Sequence, residues 1–252
     1  MPLTIIQSAW GGKRDAAGQR LAYLTVEAGV HPKAFLSFTE DDWDKFIEYM
    51  NILTAWFNGN FMHEAAVIPK SVTVALQLLN NVWPYKPVPE KILYRSIPVE
   101  TSTADSWRVG QTKNLRIAKR PLSSWAYTKQ AAIKFAINFG RWNAPSRRTK
   151  QVVFAADVGK YQLTSGDHIR EATRQLVANS YVQKSIQSIR DASEKEGKPN
   201  SLKERLDRAT RELRGSKSVN RWTAQREVVC LLPNTTMKAV VSWIDSEEAE
   251  ED

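Results

Sequence analysis

Five consecutive apolar residues, Val152-Val153-Phe154-Ala155-Ala156, restrict this chain before anything else does. A run so short, with no polar alternation, fits a buried strand, predicted over 151–158. Other strand-like runs lie at 91–99, within 115–125, at 228–232 and at 237–244; the turn Pro233-Asn234-Thr235 joins the last two. Helical patterns precede and interrupt them. Thr39 and Asp42 have the spacing of a capping box. Trp43, Phe46, Ile47, Met50, Leu53, Ala55, Trp56 and Phe57 follow at approximately helical intervals until Asn58-Gly59-Asn60. Further helices are predicted over 69–82, 128–139 and most of 167–214, the last with a break at Gly197-Lys198-Pro199-Asn200. Residues 100–114 read as a polar loop and 141–150 as a basic one. Helices first, then strands interrupted by helices, predicts an α+β fold.

The organisation that follows is an N-terminal helical lobe over 1–90, a β core over 91–245 carrying a helical insert at about 165–218, and an acidic, disordered tail over 246–252. A hydrophobic share of 42% and nine tryptophans suffice for a core and exclude global disorder. The net charge of +9 points to an acidic partner (nucleic acid, a nucleotide phosphate or an acidic protein face) or else to a plain basic surface. Cys230 stands alone, which excludes an internal disulfide and a cysteine metal cluster; within an apolar run it reads as a buried, inert thiol. His31, His63 and His168 are isolated, so no metal site is predicted. Neither a glycine-rich phosphate loop nor a G-x-S-x-G elbow occurs. Residues 1–6 carry no basic leader, and no apolar run approaches the ~20 residues of a membrane span. A cytoplasmic protein without a membrane partner is expected.

Three fragments stand in a fixed order. Ile92-Leu93-Tyr94-Arg95-Ser96-Ile97 places an arginine on a strand. Leu122-Ser123-Ser124-Trp125 runs towards the helix Ala132-Ile133-Lys134-Phe135-Ala136. Gln225-Arg226-Glu227 stands at the lip of the run 228–232, with Gln225 and Glu227 on one face of a strand. Together they resemble the R–S–E pattern of the ADP-ribosyltransferases of the diphtheria/cholera-toxin superfamily, in its arginine-first branch. Those enzymes bind NAD+ and pass its ADP-ribose to another molecule. The run 151–158 fits a core strand that the family carries between serine and glutamate. The resemblance covers about 91–161 and 219–242.

It implies an ADP-ribosyltransferase-like split antiparallel β-sandwich with an N-terminal helical lobe, using NAD+ as co-substrate and no metal. Glu227 would stabilise positive charge on the ribose as nicotinamide leaves, and would hold the ribose 2′-OH. Arg95 would offer planar donors to the pyrophosphate; an internal ion pair is the other reading of an arginine in an apolar run. Counting back from Phe135-Ala136 makes Ser124 the residue that orients Glu227, or Ser123 if the turn is one residue longer; a turn or cap contact is the bland alternative. The family's usual run is aromatic-x-Ser-Thr-Ser, but Trp125 and Ala126 occupy the last two places here. Gln225 would orient the acceptor and Trp222 would contact it, Trp222 being equally readable as a core residue. Tyr94, Tyr127, Phe135 and Phe139 are candidates for the wall that nicotinamide stacks on, with core packing the alternative for Phe135.

The implied acceptor is a macromolecule: a protein side chain first, nucleic acid or a nucleic-acid-associated protein second. The rival readings are an NAD+ glycohydrolase and a catalytically silent module of the same fold that binds nucleic acid or a host protein. The insert is a departure from the family. It carries Arg170, Arg174, Lys184, Arg190, Lys203, Arg205, Arg208, Arg211 and Arg214 among acidic residues, and Ile186, Ile189, Leu202, Leu206, Ala209 and Leu213 suggest a docked amphipathic pair. It reads as a target-recognition arm or as a solvated hairpin laced with i,i+4 ion pairs. In length, lack of a leader and insert, the chain is similar to the small transferases that T-even-like phages use on host transcription and translation proteins.

Overall fold

A computed structural model of the chain describes residues 16–57, 70–116, 122–143, 149–216, 219–220, 227–231 and 236–245. In chain order its elements are α1 (Ala16–Val30), a 3-10 turn (Pro32–Ser37), α2 (Glu40–Phe57), α3 (Lys70–Val82), β1 (Ile92–Glu100), α4 (Thr101–Asp105), β2 (Thr112–Arg116), β3 (Leu122–Ala126), α5 (Lys129–Asn143), β4 (Thr149–Asp157), a second 3-10 turn (Gly159–Tyr161), β5 (Gln162–Ser165), α6 (Gly166–Ala178), α7 (Ser180–Lys195), α8 (Leu202–Gly215), β6 (Glu227–Leu231) and β7 (Thr236–Ile244). The fold is α+β. The chain divides into two units, one made of 1–85 with 166–221 and the other of 86–165 with 222–252.

In the helical unit, the capping box at the start of α2 forms as its spacing predicts. The Thr39 N–H donates to Asp42 Oδ2 at 2.8 Å, and the Asp42 N–H donates to Thr39 Oγ1 at 3.3 Å. Arg20 Nε reaches the same carboxylate at 2.9 Å, so an almost fully buried Asp42 is paired. The apolar stripe of α2 then buries Trp43, Phe46, Met50 and Leu53, with Phe35 stacked on Trp43 and Phe38 tilted against it. The insert belongs to this unit. Leu202, Leu206, Ala209 and Leu213 of α8 are buried on the side that faces α2, and Arg205 bonds Glu40 at 3.1 Å and also Asp44. Trp43 Nε1 donates to Ser185 Oγ of α7 at 3.0 Å, and α6 lies on α3. The sequence reading set this segment within the β core; its amphipathic helices instead cover their apolar stripes with those of the N-terminal helices. Within 167–214 a second break falls at Asn179, whose side chain accepts from the Tyr181 and Val182 N–H groups at 2.9 and 3.2 Å and so caps α7.

The other unit is a seven-stranded sheet in the order β2-β7-β4-β1-β3-β6-β5, and every recorded pairing is antiparallel. One reading of the sequence changes here. The expected loop over 100–114 contains α4 and the edge strand β2. β6 and β7 both form as strands but are not neighbours in the sheet: β6 pairs with β3 and β5, and β7 with β2 and β4, while the turn read at 233–235 lies outside the described residues.

That topology excludes a flat sheet. Glu227, Ala126, Tyr94, Ala155, Val240 and Thr112 are successive partners along one row. β6 and β7 run in the same sense, four strand spacings or about 19 Å apart if the sheet were flat. Leu231 lies four residues beyond the row and Thr236 four before it, which adds about 27 Å along the strands and makes the flat separation about 33 Å. The intervening chain spans at most about 18 Å. The connection from Arg116 in β2 to Leu122 in β3 faces the same separation with a reach of about 22 Å. The sheet therefore curves. Its weakest joint is between β1 and β3, where Tyr94–Ala126 is the single recorded pair among the described residues.

Candidate active site

The β1–β3 joint holds the three residues that the sequence pattern singled out. Arg95 comes from β1, Ser124 from β3 and Glu227 from the first position of β6. Continuing the register beyond Tyr94–Ala126 would set Ser96 against Ser124, but the recorded ladder ends before that. There the Arg95 guanidinium intervenes, with Nη1 donating to the Ser124 carbonyl at 3.0 Å. A backbone acceptor at the point where the strands part thus receives a side-chain donor.

The Ser124 hydroxyl faces another way. It donates to Glu227 Oε2 at 3.2 Å. Ser124 pairs with Val229, and Ala126 with Glu227, so hydroxyl and carboxylate are diagonal neighbours on one face. Glu227 is only 8% exposed, and a carboxylate so covered depends on hydrogen bonds to offset its burial. Strand alternation puts Tyr94, Ala126, Ser124 and Glu227 on one face, and Arg95 on the other with Trp125 and Cys230. The fully buried Cys230 thiol is pushed up to about 12 by burial, which the positive charge of Arg95 partly opposes. It stays protonated at neutral pH, as expected of an inert thiol.

On the Glu227 face, α5 covers the joint. Thr128 Oγ1 accepts from the Ala131 N–H at 3.2 Å and starts the helix directly after β3. Ala132 and Ala136 are one helical turn apart and buried; their small side chains let α5 approach Ala126 and Val153 closely, with Tyr94 packed against this cluster. Tyr127 and Phe135 are half-buried, the former between β3 and α5 and the latter on α5. Trp243 of β7 packs on the same cluster as Tyr94. It was not nominated from the sequence, where its alternation within the last strand was the available signal.

Comparison with models of protein families, with curated proteins and with solved structures gave no match. The site therefore stands on its own geometry. Arg95, Ser124 and Glu227 are brought together. The Ser123 backbone pairs with Cys230; its side chain, that of Phe139, and all of Gln225 and Trp222 lie outside the described residues. No group of three His, Cys, Asp or Glu with metal-holding geometry occurs among the described residues, and no described helix is long and apolar enough to cross a membrane. In the insert, Arg190–Glu194 and Lys203–Asp207 form i,i+4 ion pairs at 2.7 and 2.9 Å, each raising the pKa of its basic member.

Proposed function

We propose that this chain is a mono-ADP-ribosyltransferase that cleaves NAD+ and passes ADP-ribose to a macromolecular acceptor, a protein side chain foremost. One observation carries the reading: Ser124 receives Arg95 at its carbonyl and gives its hydroxyl to Glu227, although these partners lie 29 and 103 residues away in sequence. The arginine, serine and glutamate of the family pattern thus converge on a single serine. The curved sheet with its joint at β1–β3 supports the family's split sandwich as the finer description of the fold.

In this reading the C1′–nicotinamide bond breaks with its electron pair leaving on nicotinamide, and positive charge spreads over the ribose. Glu227, ionised and oriented by Ser124, stabilises that charge. The acceptor then attacks C1′ and releases a proton. Arg95 holds the serine strand, and its planar fork is the donor type that pyrophosphate oxygens require. Gln225, two residues before Glu227, takes the acceptor-orienting role that the resemblance implies.

The test incubates labelled NAD+ with the protein and a cell lysate, in parallel with Glu227→Gln, and digests the products with protease or nuclease. Protease-sensitive label that Glu227→Gln reduces by about a hundredfold or more is expected. NAD+ affinity should change far less than turnover. Nuclease-sensitive label would move the acceptor to nucleic acid. Free ADP-ribose without labelled macromolecule would make water the acceptor, an outcome that Trp125 and Ala126 in place of the family's threonine and serine favour. Absence of nicotinamide release from folded protein would sink the enzyme reading and leave a binding module.

A further inference from the structure

Glu227 has a neighbour on each side, and only one of them belongs to the three fragments. On β3, Ser124 pairs with Val229, two residues beyond Glu227 on the same face. On β5, Thr164 pairs with the same Val229. The two hydroxyl residues therefore flank the carboxylate diagonally from both adjacent strands.

Thr164 owes this place to an irregularity. Gln162 pairs with Cys230, so an uninterrupted ladder would set Leu163 against Val229. The register shifts instead, and Thr164 takes that position. A bulge re-aims side chains in this way, and bulges concentrate beside active sites. The side chain so aimed is a hydroxyl with 0% exposure, on the face that carries the buried carboxylate. One of its contacts, to the Ser165 carbonyl, is long, at 3.4 Å. An ionised carboxylate is the stronger acceptor.

We infer that Thr164 is a positioning residue for Glu227: its hydroxyl, re-aimed by the β5 bulge, donates to the carboxylate from the side opposite Ser124 and keeps it ionised and oriented. The catalytic purpose rests on the transferase reading, whereas the hydrogen bond does not. Two measurements on the full chain separate them. The first follows the Glu227 side-chain carboxyl by carbon NMR as a function of pH, in wild type, Thr164→Val and Thr164→Ser. The midpoint should rise by about one pH unit or more in the valine variant, where the donor is lost, and return in serine. The second measures NAD+ cleavage. Thr164→Val should lower kcat about tenfold with little change in KM, and Thr164→Ser should recover it. An unchanged midpoint in a folded Thr164→Val protein overturns the inference. If the midpoint rises but wild type does not cleave NAD+, the hydrogen bond stands and the transferase reading falls. If Thr164→Val does not fold, the smaller Thr164→Ala removes the same donor, and an unchanged midpoint in that variant would also overturn the inference.

Discussion

Ser124 meets its two partners through different atoms, and this makes their contributions separable. Replacing Ser124 by alanine removes the hydroxyl from Glu227 but leaves the carbonyl that Arg95 binds. We expect kcat for NAD+ cleavage to fall by about tenfold or more and the denaturation midpoint to fall as well, because a hydrogen bond to a buried charged group contributes about 1.5–3 kcal/mol. Paired turnover and urea-denaturation measurements check this; a large stability loss without a kcat effect would assign the hydroxyl to structure alone. At this scale the sequence was informative. Arginine, serine and glutamate were singled out by the order of three fragments, which resembles a family pattern, each fragment being a weak signal alone. That Arg95 grips a carbonyl on the opposite face from Glu227 was hidden, because it depends on where the β1–β3 ladder stops. Thr164 was hidden for the same kind of reason: a bulge decides its direction, and a bulge leaves no periodic trace.

Elements that carry their own start signals were the most legible. Thr39 and Asp42 specify the start of α2 through bonds within one turn, so no distant partner is needed. Thr39→Ala should destabilise the protein by about 1 kcal/mol, read as a lower urea midpoint with an unchanged slope. Asp42 also holds Arg20, so its replacement should cost more than that of Thr39. The strands at 92–100 and 149–157 were predicted to within a residue or two, as apolar runs of that kind allow. α4 and β2 were read as loop because a five-residue helix and a polar edge strand lack any stretch long enough to show a period. The partners of β6 and β7 were not legible for another reason. A turn between two strands announces a change of direction, but which neighbours each strand will pair with is settled by the whole sheet.

The largest scale was the least legible, since amphipathic stripes say that a helix must dock without saying where. The two units are interleaved along the chain, and the helical one holds a buried imidazole. His168 Nε2–H donates to the Trp83 carbonyl at 2.6 Å, with the Tyr85 ring edge-on at 5.2 Å. Burial lowers the pKa of His168 below 6.5, more than the Trp83 bond raises it. The folded state thus prefers the neutral ring. Its contribution to stability is complete above pH 6.5 and declines as pH falls from 6.5 towards the lowered value, with a slope no steeper than about 1.4 kcal/mol per pH unit. Denaturation midpoints of the helical signal between pH 7 and 5 should show this, and His168→Gln should flatten the dependence; equal slopes would remove His168 as its source. The interleaving has a further result during synthesis. β6 must enter between β3 and β5, and β7 between β2 and β4, so the last strands to leave the ribosome are the ones that close the sheet. At about 5–20 residues per second, the earlier strands wait several seconds with open edges. Glu227 arrives with those closing strands, so a nascent chain gains its central carboxylate only after the other strands that flank it have been made.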